Sequence, residues 1–212
     1  MSVAAVFICG IFVCGGSIDE FIIPYAFDIK RRMCYACFMK STAIADMRDG
    51  YFAAALELYM TAFPPAERRD ESGHMRAMSQ SDYRMRALTD GGEFIGIMFY
   101  WDAPEFVYLE HFAIRRDLRG QGYGGKALRL LKSLGKPVIL EIEPPIDERT
   151  AARKRFYEHN GFVYSDTDHR QLRYNAGDPD CVLKIMSYPV AVSAELYARF
   201  CEYLHSVVTS AE

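Results

Sequence analysis

The chain has 212 residues and 50% hydrophobic content, which is enough to bury one sizeable core. Its 25 basic and 28 acidic side chains give a formal net charge of -3, so the basic excess of a nucleic-acid-binding surface is missing. The sequence also lacks an apolar run of about 18 residues, which argues against a membrane-spanning helix. We expect a cytoplasmic protein that neither binds nucleic acid nor spans a membrane.

Residues 1–38 differ in composition from the rest of the chain. Residues 3–14 are almost wholly apolar, but the basic flank of a secretory signal is missing because the first basic side chain is Lys30. We interpret residues 1–38 as an N-terminal extension of doubtful status. Two explanations stay open: translation begins at Met33 or Met39, or the segment is an arm that lies on a membrane surface or on a partner.

The six cysteines include one CxxC pair, Cys34 and Cys37. Such a pair can be half of a zinc site or a redox pair. A second CxxC, or a histidine pair at zinc-finger spacing, does not accompany it. We therefore read the cysteines as reduced thiols and expect no metal site.

The alternation of apolar and polar residues, together with turn residues, predicts the secondary structure of the first half of the remaining chain. Asp49 is a candidate helix cap, and the helix that it begins should end at the prolines 64–65. Loops too short for a crossover should make the next three strands antiparallel. The predicted elements are a strand over 41–45, helices over 51–63 and within 66–79, and strands over 83–88, 94–101 and 106–114.

The second half of the chain switches to alternating helices and strands. The predicted elements are helices over 120–134, 147–159 and 192–208, and strands over 138–142, 162–165 and 182–187. The fold class is therefore α+β: a mixed, mostly antiparallel sheet flanked by helices, with one central strand–helix–strand unit. We expect a domain over 39–189 and a C-terminal helical segment, 190–212, that packs on it or trails it.

A glycine-rich segment, 120–125, opens one of the predicted helices. Exposed amides and the positive end of a helix dipole favour a phosphate there. Three other interpretations are weighed: a flexible surface loop, a dinucleotide fingerprint with Glu143 as the ribose ligand, and a P-loop ending in Lys126. The fingerprint should follow its strand directly, and the P-loop needs a hydroxyl where Ala127 stands.

Residues 109–124 resemble the central motif of the GNAT (Gcn5-related N-acetyltransferase) superfamily. That motif is a strand, a short basic connection and [Q/R]-x-x-G-x-[G/A] at a helix start, with Arg119, Gly122 and Gly124 in the signature positions. Residues 57–69 look like the first helices of this family, and 155–162 look like its penultimate helix. The resemblance covers about 39–189, but many members carry an asparagine where 148–153 has none.

The resemblance implies acetyl-coenzyme A as the acyl donor. Loop amides would hold its pyrophosphate, and the edge of the preceding strand would pair with its pantetheine arm. The implied cofactor-binding residues are Phe112, Ala113, Ile114, Arg119, Gly120, Gln121, Gly122, Tyr123, Gly124, Gly125 and Lys126.

Two side chains are candidate catalytic groups. Family members often place a carboxylate on the third strand, which makes Glu110 the candidate base; by period two it should share a face with Phe112 and Ile114, with His111 opposite. The alternative is a structural carboxylate paired with an arginine. Tyr157 matches the family tyrosine that faces the sulfur and is the candidate acid, the alternative being a core aromatic.

The predicted function is N-acetyl transfer from acetyl-CoA to a primary amine. The alternative is an acyl-CoA-binding sensor or scaffold without turnover. The amine, of a small molecule or a peptide, should bind near 64–79 and 166–180, where charges of both signs leave its identity open. The oligomeric state is open too, a homodimer being one option.

Overall fold

The computed structural model describes residues 39–171 and 181–209. The expectations about the N-terminal extension and its CxxC pair concern residues 1–38 and lie outside the described residues. Most of the expected acceptor loop, 172–180, lies outside them too.

The described residues form a seven-stranded sheet in the order β1-β2-β3-β4-β5-β7-β6. Only β4 and β5 run parallel among these neighbours; the other pairs are antiparallel. The α+β class and the mixed, mostly antiparallel sheet are confirmed. The strands are β1 (Lys40–Ala43), β2 (Tyr83–Asp90), β3 (Glu93–Asp102), β4 (Val107–Ile114), β5 (Val138–Ile142), β6 (Val163–Arg170) and β7 (Val182–Tyr188).

Helices cover both faces of the sheet. The helices are α1 (Phe52–Ala62), α2 (Glu71–Ser79), α3 (Tyr123–Lys132), α4 (Glu148–His159) and α5 (Ala194–Tyr203). On one face, Tyr59 of α1 and Phe200 of α5 are buried in a core that includes Trp101. On the other face, Leu128 of α3 and Tyr157 of α4 belong to a second core. The sheet is thus the middle layer between two hydrophobic cores.

Local chemistry explains where two helices begin. Asp147 caps α4, because its carboxylate accepts from the Thr150 amide at 2.7 Å and the Thr150 hydroxyl accepts from the Asp147 amide at 3.1 Å. By contrast, α3 begins at Tyr123 rather than at Gly120 as predicted. Gly120 and Gly122 have φ of 78° and 79°, a left-handed conformation that an α-helix cannot contain.

The segment between α1 and β2 differs from the single helix predicted within 66–79. A 3₁₀ turn, Pro65–Glu67, comes first, and α2 starts only at Glu71. Asp70 is extended and its side chain accepts from the Gly73 amide at 2.6 Å, which makes it the cap of α2. The turn and the helix are therefore separate elements.

The C-terminal segment continues α5 with a π-helical turn, Leu204–Val208. Phe200, Leu204 and Val208 are buried in the same core as α1. Among the described residues, no helix is both long and apolar enough to cross a bilayer.

Candidate active site

A large cavity opens where β4 and β5 part. The two strands pair over three positions, from Val107 with Val138 to Leu109 with Leu140. Beyond them a cavity of about 1200 Å³ is lined by β4, the loop before α3 and the inner face of α4. That volume is slightly above the usual range for small-molecule sites, roughly 300–1,000 Å³. The cavity can therefore hold a long ligand together with a second molecule.

The glycine loop, residues 119–125, forms one end of this cavity. Gly122 is the left-handed N-cap residue of α3, and the amides of Gly124 and Gly125 lie in the first turn, where a helix offers no acceptor. Arg119 bends back, and its Nε donates to the Ile114 carbonyl at 3.1 Å. Gln121 does not line the cavity; its amide nitrogen donates to the Asp117 carbonyl at 3.2 Å.

Close contact with α4 explains two of the loop's glycines. A Cβ at Gly124 would lie 2.9 Å from Cζ of Phe156, and one at Gly125 would lie 3.0 Å from Oδ1 of Asn160. Any larger residue would force these α4 side chains to move. The loop backbone is thereby kept at the cavity wall.

The loop's chemistry suits a phosphate ligand. First-turn amides and the helix dipole favour negative charge, and the side chains of Arg119, Lys126 and Arg129 line the same part of the cavity. Beyond the paired region, residues 112–114 of β4 pair with β3 on one edge, and the cavity lies along the other. These features fit coenzyme A, which joins a pyrophosphate to an extended amide-containing arm.

A β-bulge changes the face on which Glu110 lies. The register of β4 against β3 shifts at Glu110, which is the extra residue of the bulge. Glu110 contacts Trp101 on one side of the sheet, where the ring of His111 also packs, whereas Phe112 and Ile114 belong to the opposite core. The period-two prediction, which grouped Glu110 with Phe112 and Ile114 and set His111 opposite, is wrong because a bulge interrupts the alternation.

Glu110 is held in a buried ion pair. Arg69 Nη1 donates to its Oε1 at 2.6 Å and Trp101 Nε1 donates to its Oε2 at 2.9 Å; the carboxylate is 0% and the guanidinium 1% exposed. Burial alone would raise the pKa of Glu110, but Arg69 and His111 hold it well below its usual range. These contacts favour the structural alternative for Glu110, because such a carboxylate is a weak base.

Tyr157 lies in the cavity wall. Its side chain is buried against the rings of Phe156 and Phe162. Its hydroxyl makes no hydrogen bond to the described residues, and burial raises the pKa of Tyr157 to about 12. A phenol that keeps its proton and faces a cavity is suited to proton donation.

Three carboxylates form what we call the carboxylate end of the cavity: Glu67, Glu141 and Glu143. Burial raises the pKa of the Cys181 thiol, and the negative charges of all three carboxylates raise it further.

Two of these carboxylates have strong partners. Glu143 pairs with Arg149 at 2.8 Å and Arg153 at 2.6 Å. Glu141 accepts from the Tyr108 hydroxyl at 2.5 Å and lies 2.6 Å from the ring of His169. His169 in turn contacts the Tyr197 hydroxyl of α5 at 2.9 Å.

Comparison with known proteins agrees with this geometry. A sequence profile described as "Acetyltransferase (GNAT) domain" matches residues 81–164. A solved structure from Bacteroides thetaiotaomicron, described as a candidate acetyltransferase of the GNAT family, superposes with a TM-score of 0.75 at 28% identity, over 82% of this chain and 99% of that chain. These matches support membership of the GNAT superfamily.

Two further relatives limit how much of a known protein's function can be transferred to this chain. YjbC of Bacillus subtilis, named as a candidate acetyltransferase, is 28% identical over 110 residues, which are 51% of this chain and 56% of that protein. The match thus spans little more than half of that relative. The ribosomal-protein-S18-alanine N-acetyltransferase of Escherichia coli shares the fold at 21% identity, with a TM-score of 0.52 over 74% of this chain and 97% of that one.

The sequence did not predict where several residues of this site lie. Glu67 and Arg69 fall within the segment expected to be helical (66–79) and near the acceptor (64–79), but the sequence gives no local signal of their separate positions in the cavity wall and in the core. Gly96 of β3 is a third: a Cβ there would lie 2.3 Å from the Ala113 carbonyl, so the glycine lets β3 approach β4 closely. Only its place inside a strand could have pointed to such an approach.

Proposed function

We propose that this protein transfers the acetyl group of acetyl-CoA to a primary amine of a small molecule or peptide. The observation that carries the proposal is that one cavity is lined both by the glycine loop and by Tyr157. The first suits the phosphates of the donor and the second suits the departing thiolate. The carboxylate end gives the same cavity room and charge for an amine.

The glycine loop and the edge of β4 would bind the donor. Amides of the loop, with Arg119 and Lys126 beside them, would hold the pyrophosphate. Residues 112–114 would pair with the pantetheine arm, which places the thioester near the point where β4 and β5 part. The donor supplies an activated acetyl group at this point; the protein supplies position and proton transfers.

Tyr157 would give its proton to the departing thiolate. A phenol is protonated at neutral pH, and the buried site strengthens the hydrogen bond that it would form to the thiolate. Glu110, in contrast, would hold Arg69 and Trp101 in place beneath the cavity. We assign it a structural role instead of the base role suggested by its position in the strand.

A turnover assay tests the proposal and separates it from the acyl-CoA-binding sensor. Acetyl-CoA is offered with a panel of amines: a monoamine, a polyamine, an aminoglycoside, a lysine peptide and a peptide with a free amino terminus. We expect release of free thiol that depends on one class of amine, with the acetylated product confirmed by mass. Tight coenzyme A binding without any amine-dependent thiol release would favour the sensor.

A further inference from the structure

Glu67 stands on a turn that is fixed from two sides. The turn Pro65–Glu67 follows α1 directly, and the Glu67 carbonyl lies 2.9 Å from Nε2 of His111 on β4. Two residues on, the Arg69 amide donates to the Tyr59 hydroxyl at 2.9 Å, and the Arg69 side chain is paired with Glu110. The backbone around Glu67 is therefore held in place against α1 and β4.

The Glu67 carboxylate differs from the other carboxylates of the cavity. Glu110, Glu141 and Glu143 each have hydrogen-bonding or ionic partners at 2.5–2.9 Å. Glu67 lines the cavity and is half-buried, yet within residues 39–171 and 181–209 its carboxylate takes part in no hydrogen bond or ion pair. Among the described residues that line the cavity, Glu67 is therefore the carboxylate whose oxygens are available to a ligand.

Glu67 lines the same cavity as His111 of β4, Glu143 after β5, and two arginines of α4. Its carboxylate interacts electrostatically with Glu143, which follows β5, and with His111 of β4. Arg149 and Arg153 of α4 act on it as well. Glu67 therefore shares the cavity wall with residues of β4, of the segment after β5, and of α4.

We propose that Glu67 is the general base that removes the proton of the acceptor amine. The inference rests on the proposed function, because it names the proton acceptor of that same reaction. The Glu67 carboxylate takes one proton from the amine nitrogen, directly or through one water, as the nitrogen attacks the acetyl carbon. The new C–N bond forms, the C–S bond breaks with its electron pair on sulfur, and Tyr157 protonates the thiolate. Proton exchange with water then restores both side chains.

The electrostatics of the site suit this role. Burial raises the pKa of Glu67 and the charge of Glu143 raises it further, while Arg153, His111 and Arg149 oppose the shift. A raised pKa makes the carboxylate a stronger base, provided that it is ionised at the working pH. Turnover should therefore fall as the pH drops through the raised pKa of Glu67.

The test compares Glu67→Gln with the parent, using acetyl-CoA and the panel amine that gives the parent its fastest thiol release. We expect kcat at neutral pH to fall by about 10²-fold or more, and the acid limb of the pH profile to disappear. Coenzyme A affinity by calorimetry should stay within about twofold. Glu67→Asp, which keeps the charge but withdraws it by one methylene, should retain part of the rate.

Two controls make the outcome decisive. Glu71→Gln makes the same chemical change on an exposed residue outside the cavity, and it should turn over like the parent. Glu143→Gln removes a charge that raises the pKa of Glu67, so it should move the acid limb to lower pH. A Glu67→Gln variant with parental kcat and an unchanged pH profile overturns the inference alone. A parent without turnover on the whole panel overturns the proposed function and the inference with it.

Discussion

The two ends of the cavity are built in opposite ways. The glycine loop is one continuous segment that presents main-chain amides at a helix start. The carboxylate end combines side chains from distant parts of the chain: Glu67 on a turn after α1, Glu141 in β5 and Glu143 just after it, with His169 of β6 behind. A ligand common to a whole family can be held by backbone, whereas the partner that varies is met by side chains.

The largest expected effect comes from a substitution in the glycine loop that should abolish coenzyme A binding at that end of the cavity. Gly124→Glu adds bulk against Phe156, which a Cβ would already approach at 2.9 Å, and puts negative charge where the phosphates should lie. We expect coenzyme A affinity by calorimetry to fall by at least about 10³-fold, or about 4 kcal/mol. The fold should be retained, as judged by circular dichroism.

Gly50→Glu is the matched control for that substitution. A Cβ at Gly50 would have no other atom within 4 Å, and the residue has no left-handed φ, so the position tolerates a side chain. This variant should bind coenzyme A like the parent. Unchanged affinity in Gly124→Glu would show that the donor binds elsewhere.

The next prediction tests whether Glu110 stabilises the fold or acts as the catalytic base. Glu110→Gln leaves the buried Arg69 charge without its counter-charge, which should lower the free energy of unfolding by about 3 kcal/mol. The folded-state pKa of Glu110 is depressed, so its contribution is complete above its ordinary pKa of 4.5 and is lost as the pH falls through the lower folded value. Denaturant titrations should show the deficit at pH 7 and a smaller one in strong acid.

A surface carboxylate provides the comparison for Glu110. Glu158 pairs with Lys154 at 2.7 Å on the exposed face of α4, and Glu158→Gln should cost less than about 0.5 kcal/mol. If Glu110→Gln is equally mild and instead removes the acid limb of turnover, Glu110 is the base after all.

The smallest expected effect concerns Tyr157, which lines the same cavity. Tyr157→Phe keeps the ring in its pocket and removes the proton donor, so kcat should fall by about 10²-fold while coenzyme A affinity stays within about twofold. Tyr164→Phe, which loses a hydroxyl on β6 that contacts Asp166 at 3.3 Å, is the control and should be neutral. Parental turnover in Tyr157→Phe would make the tyrosine a core aromatic.

The sequence predicts those features that depend on residues close together in the chain, and it does not predict those that depend on residues far apart in the chain. The hairpin strands, the helix that begins near Asp147 and the glycine loop depend on neighbours in the chain, and the structure has them within a few residues of the predicted positions. The bulge at Glu110 depends on packing against Trp101 and Arg69, which local alternation cannot reveal. The position of Glu67 in the cavity depends on its carbonyl contact with His111, a residue far along the chain.

The packing of the C-terminal helix through Phe200 has a consequence for how the protein is made. Strands β1 to β4 are neighbours in both sequence and space, so they can pair in the order in which the ribosome releases them. Phe200 and Leu204, however, complete the core that also holds Tyr59 and Trp101. During synthesis, the part of this face that α5 covers stays exposed until α5 has left the exit tunnel. A chaperone that binds exposed aromatic side chains would meet the protein in that interval.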